Sequence, residues 1–240
     1  MSVLLLLGVL GTGAIHADNL PSWIDAVEHD RVQQIALLLP RAENVDLRTR
    51  TGKTALMAAA RRGDHELVHR LIAAGADVEA TNKGGGTPLH YAAWFGSPRT
   101  IELLVSRGAQ VNHQSRNGWT ALMMTAAKNH AAAATLLLES GAAPNLADIY
   151  RWTPLMRAAY AGHLEIVEIL LGRRSTDVSV LNDQGQSALH LAVISGDERA
   201  VQLLLKARAP MDLIDAGGRT PKAIAQAMER SDLVELLERP

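Results

Sequence analysis

The 240-residue chain is 48% hydrophobic but only 3% aromatic, with a formal net charge of -1. That balance describes a chain packed mainly by alanine and leucine, and it gives no general attraction for nucleic acid. Cysteine is absent, which excludes disulfides, thiolate zinc sites, a thiol nucleophile and a lipoprotein attachment cysteine.

Residues 3–10, Val-Leu-Leu-Leu-Leu-Gly-Val-Leu, followed by Gly11, Gly13, Ala14 and Ala17, read as the apolar region and cleavage zone of a secretory signal peptide. Cleavage after Ala17 leaves Asp18 as the mature N-terminus. No Lys or Arg precedes the run, and the alternative is a hydrophobic extension on a cytoplasmic protein. Residues 3–15 are too few to span a bilayer comfortably, so no stable membrane span is expected. For an exported chain, the lack of cysteine suits a bacterial periplasm.

From Pro21 onward the sequence repeats. Thr54, Thr87, Thr120, Thr153, Ser187 and Thr220 open equivalent tetrapeptides at steps of 33, 33, 33, 34 and 33 residues. Such a period means stacked helical hairpins, none of which can bury its apolar face alone. Thr87 is placed to cap a first helix, with Pro88 at the first helical position, where a missing N–H costs nothing. Ala92-Ala93, Ala59-Ala60 and Ala158-Ala159 keep that helix thin, while Ile166, Val167, Leu170 and Leu171 give the second a broad apolar stripe. Gly75, Gly108 and Gly141 follow second helices, where a left-handed residue ends them cheaply.

Thr-Pro-Leu-His-Tyr-Ala-Ala at residues 87–93, then Gly96, a second amphipathic run and Gly-Ala-Gln-Val-Asn at residues 108–112, resembles the ankyrin repeat family. The resemblance covers residues 21–240 and extends to bacterial periplasmic ankyrin-repeat proteins. It implies an all-α solenoid of helix-turn-helix units with β-hairpin fingers. The boundaries that follow are a signal peptide at 1–17, a degenerate capping repeat at 18–48, five full repeats at 49–214 and a closing cap at 215–240.

Departures from the pattern are local. Met57, Met123 and Met156 stand where His90 and His190 stand in their own repeats, and in the family that histidine joins the loops of adjacent repeats; those three junctions are expected to be softer. Arg151 replaces a finger glycine and Asn129 an inter-helix glycine, and Asn tolerates a left-handed backbone better than Arg. The extra residue lies around residues 172–176. Lys222 and Gln226 replace apolar and small residues, as suits an outer cap.

Chemical motifs are few. His65-Glu66-Leu67-Val68-His69 matches a zinc-hydrolase pentapeptide. The repeat register instead makes Leu67 and Val68 core residues, which puts His65, Glu66 and His69 on the solvated back of the helix. Thr51-Gly52-Lys53-Thr54 ends like a phosphate loop but lacks its first glycine. Neither a catalytic residue, a metal site nor a cofactor is therefore expected.

The positive signal lies at finger tips and on first helices, where the family generally binds partners. Those positions hold Trp94, Phe95, Trp119, Tyr150, Trp152 and Tyr160, six of the chain's eight aromatics, beside Arg50, Arg61, Arg62, Arg116, Lys128 and Arg157. Trp, Tyr and Arg most often dominate protein binding energy. Trp119 and Trp152, just before the capping threonines, divide between packing finger against finger and binding. The expected function is a monomeric, non-catalytic scaffold for a protein partner with acidic and apolar surface. The alternatives are a metal-dependent hydrolase built on His65, Glu66 and His69, or a nucleic-acid or membrane-surface binder.

Overall fold

The computed structural model describes residues 20–238, so the signal-peptide reading of residues 1–17 lies outside the described part. Among the described residues fourteen α-helices form seven pairs: α1 (Leu20–Glu28) with α2 (Val32–Leu38), α3 (Ala55–Arg62) with α4 (His65–Ala73), and α5 (Pro88–Phe95) with α6 (Pro98–Ser106). They continue as α7 (Ala121–Lys128) with α8 (Ala131–Glu139), and α9 (Pro154–Ala161) with α10 (Leu164–Leu171). The last two pairs are α11 (Ala188–Ser195) with α12 (Glu198–Lys206), and α13 (Pro221–Ala227) with α14 (Ser231–Leu236).

First helices stack on first helices in chain order from α1 to α13, and second helices do the same from α4 to α14. An inner helix is therefore covered by two neighbours and by its own partner. Residues 55–60 of α3 and 188–193 of α11 are all buried, and only small side chains allow backbones that close. Outer helices bury one stripe, such as Leu67, Val68 and Leu71 in α4 and Ile166, Val167 and Leu170 in α10.

Each inner helix begins at one defined place. Thr54, Thr120, Thr153 and Ser187 accept a hydrogen bond from the backbone N–H three residues on, which satisfies a donor the helix cannot. At Thr87 and Ser187 the cap is doubled by a histidine. His90 Nδ1 accepts from the Thr87 N–H at 3.3 Å, while its Nε2 donates across the repeat boundary to the Trp119 carbonyl at 2.9 Å. His190 repeats this with Ser187 at 3.2 Å and Arg219 at 3.2 Å. Met57, Met123 and Met156 fill the equivalent positions as buried apolar side chains, without that cross-boundary bond.

The fingers differ from the hairpins expected above: among the described residues none forms a β-strand. Each is a single tight turn, such as Gly85 N–H to Asn82 O and Asn82 N–H to Gly86 O, too short to propagate a ladder. Between their main chains there is one bond per boundary. Lys83 donates to Thr51 O, Arg116 to Gly84 O, Ile149 to Asn117 O, Asp183 to Tyr150 O and Ala216 to Gln184 O, at 2.8 to 3.2 Å. A second series crosses the first four of these boundaries at the base of the fingers. Side chains of Asp46, Glu79, Asn112 and Asn145 accept from the backbone N–H of Asp77, Gln110, Ala143 and Asp177.

Irregularities are absorbed locally. Asn129 ends α7 with φ +59°, and Arg151 takes φ +60°, so both substitutes adopt the backbone glycine would have had. The Thr176 hydroxyl donates to Leu170 O at 2.6 Å, closing α10 over the extra residue. Lys222 pairs with Glu238 at 2.8 Å on the outer cap.

The finger junctions predict an ordering of glycine substitutions. A Cβ on Gly118 (φ +78°) would meet the Asp148 Cα at 2.7 Å, whereas one on Gly75 (φ +89°) meets open space. Both alanines carry a left-handed cost of about 1–2 kcal/mol, and the clash brings Gly118→Ala to roughly 3 kcal/mol or more. Urea denaturation should therefore show a clearly larger midpoint loss for Gly118→Ala than for Gly75→Ala; equal losses would mean that the finger junction yields.

Candidate partner-binding groove

The residue at each finger base folds the finger and fixes one side chain on the inner helix beside it. Asn82 Oδ1 accepts from the Gly84 and Gly86 N–H groups at 2.8 and 2.9 Å, and its Nδ2 donates to the Tyr91 hydroxyl at 2.8 Å. Buried Asp148 does the same, taking Tyr150 and Trp152 N–H on Oδ1 and the Arg157 guanidinium on Oδ2. Tyr91 and Arg157 are thus held by equivalent devices two repeats apart.

Around Arg157 the groove is filled. The guanidinium carbon lies 3.8 Å from the Trp119 ring centre and 5.5 Å from that of Trp152, and Trp152 meets Tyr160 edge-on at 5.6 Å. Such contacts are favourable in themselves. Trp119 and Trp152 are half-buried and pack finger on helix. Burial lowers the Arg157 pKa from its ordinary value and Asp148 opposes that shift; the group stays charged. Arg157 is already paired and stacked rather than free.

Around Tyr91 the groove is open. Gly86 stands in the register of Trp119 and Trp152 and has no side chain, which leaves a pocket of about 250 Å³ lined by Arg61, Asn82, Tyr91, Trp94, Asn117 and Met124 among others. Trp94 is 43% exposed and lies under the Lys128 ammonium, 3.7 Å from the ring centre. Arg61 reaches the rim and pairs with Asp30 at 3.3 Å; the other Asp30 oxygen holds buried Lys53 at 2.5 Å. Arg62 and Arg116 are exposed, with no ion pair among the described residues. Phe95, 49% exposed, lays its ring against Gly63 of the preceding repeat. Tyr150 projects from a finger tip with Ile149, and Tyr160 lies at the end of α9; these three are 58%, 60% and 52% exposed.

Tyr91, Asn82 and Met124 are not marked by residue type. Register is the signal that reveals them: Tyr91, Met124 and Arg157 each stand four residues after a capping threonine. Away from the groove, His65, Glu66 and His69 are exposed on α4, and among the described residues no group of three or more His, Asp or Glu side chains is placed to hold a metal ion. No described helix is long and apolar enough to cross a membrane.

A family model for ankyrin repeats matches this sequence in three copies, over residues 23–115, 107–180 and 174–239. The chain belongs to the ankyrin repeat family. Comparison with curated proteins finds no significant match. Ankyrin repeats generally mediate protein–protein interaction, and the faces that vary between these repeats are the finger tips and the exposed side of the inner helices.

The ankyrin histidine also links the groove to pH. Desolvation lowers the His90 pKa to about 4, the bond to the Trp119 carbonyl opposes this, and His113, whose ring lies 5.7 Å away, lowers it further. The unfolded chain takes up this proton near pH 6.5 and the folded chain only near pH 4, so stability falls with acidification through that window. At about 1.4 kcal/mol per unit the loss reaches roughly 3 kcal/mol. His90→Met, which uses the residue found at three equivalent positions, should flatten the pH dependence of the urea midpoint between pH 7 and pH 4. An unchanged slope would assign the acid sensitivity elsewhere.

Proposed function

We propose that this ankyrin protein is a non-catalytic scaffold that holds a partner protein against the groove between its fingers and inner helices. The observation that carries this reading is the exposure of Trp94, Phe95, Tyr150 and Tyr160 at 43%, 49%, 58% and 52%, half the aromatic side chains of an aromatic-poor chain. Side chains of this kind stabilise a monomer little when left in water but serve as anchors when a partner covers them. Arg62, Arg116 and Lys128 beside them favour a partner with acidic groups among its apolar ones. Because the groove is built on stacked helices and capped turns, binding costs little ordering. Export to a bacterial periplasm, with the partner in the cell envelope, is supported by the apolar and small-residue composition of residues 1–17.

Expression of the full-length chain in a Gram-negative host tests both parts. Mass spectrometry of the fractionated product should give Asp18 as first residue, in the periplasm; intact Met1 in the cytoplasm overturns the export reading. Cross-linked capture of a partner should drop about tenfold or more for Trp94→Ala, Phe95→Ala, with the melting temperature kept within a few degrees. Equal recovery by that variant would place the binding face elsewhere.

A further inference from the structure

The pocket over Tyr91 has a shape that the protein itself interprets. In the following repeat Trp119, at the register of Gly86, lies across Arg157, the inner-helix residue of the next repeat. Transposed back by one period, a tryptophan at residue 86 would lie across Met124, and Met124 is one wall of the open pocket, with Tyr91 and Trp94 beside it. The empty volume is therefore the place of an indole that this repeat omits. Its walls suit an aromatic guest: Tyr91 and Trp94 offer ring faces or edges, Met124 offers a polarisable sulfur, and Asn117 borders it as a polar group.

The rim supplies the rest of the specificity. No carboxylate lines the pocket; Arg61 on its wall is paired with Asp30, but Lys128 lies over Trp94, and Lys83 and Arg116 are exposed on the two adjoining finger tips. A positive rim around an apolar slot favours acidic side chains on either side of the inserted group. We infer that this pocket takes an aromatic side chain, Trp, Tyr or Phe, presented by an extended acidic segment of the partner protein. The inference rests on the reading of the groove as a protein-binding face and adds the chemistry of the residue that enters it.

The repeat register also supplies the blocking variant. Gly86 does not need a left-handed backbone, and a Cβ there makes only ordinary contacts, the nearest being Asn82 Nδ2 at 3.4 Å. Gly86→Trp therefore keeps the finger and fills the slot from within. A display library of random dodecapeptides is panned on the full chain, and selected peptides are titrated against the wild type and Gly86→Trp. The expected result is a consensus of one aromatic residue flanked by Asp or Glu, salt-sensitive in binding, with affinity about thirtyfold lower for Gly86→Trp, equivalent to the ~2 kcal/mol of a buried anchor. If Gly86→Trp melts more than a few degrees lower, Met124→Arg, which copies the Arg157 register into the same volume, replaces it. Peptides weakened by Trp94→Ala or Arg61→Glu but indifferent to both filling variants would overturn the pocket and leave the groove reading standing. Peptides indifferent to every groove variant, or no selected peptide at all, would overturn both.

Discussion

No hairpin in this chain can cover its own apolar surface, and every other feature follows from that. Inner helices such as α3 and α11 bury most of their residues, so alanine is the residue that lets them approach. The outer helices bury only one stripe, so leucine, isoleucine and valine gather there. Because each repeat is completed only by the next, the boundary between repeats carries the specific polar contacts: one finger-to-finger main-chain bond, one side chain accepting at the finger base, and at two boundaries a histidine donating from a cap. The stack is thus a series of similar interfaces, and stability is distributed along it rather than concentrated in one core.

The same constraint frees the groove for function. Core positions are dictated by neighbours, but around Thr87, Thr120 and Thr153 the residue four places on and the residue just before face the groove and can vary. Where they are Arg157 with Trp119 and Trp152, charge and rings satisfy one another and the surface closes. Where they are Tyr91 and Gly86, the surface opens. A single missing side chain in a periodic structure creates a vacancy of defined shape, because the rest of the period holds its walls in place.

Much of this was legible in one dimension. A period of 33 residues, threonine caps with proline behind them, and glycines after second helices are local rules, and Thr54, Thr153, Gly75 and Gly141 behave as those rules require. Substitutes were legible too, since Asn129 and Arg151 keep the positive φ of the glycines they replace. The fingers were not, for a strand requires a ladder of paired residues, and only the tertiary structure shows that one main-chain bond joins each finger to the next.

Helix order and the solvated back of α4 with its His65 and His69 were determined by sequence alone, because they depend on spacing and on which residues share a helix face. Which groove residues are available to a partner was decided only by tertiary structure. Arg157 and Arg61 look alike in sequence, yet one is clamped by Asp148 between two indoles and the other stands at the rim of a pocket. Part of the difference lies within a repeat, where Asp148 holds Arg157 from nine residues back, and part across boundaries, where Trp119 covers Arg157 and Asp30 pairs with Arg61; spacing along the chain carries no record of how side chains pair there.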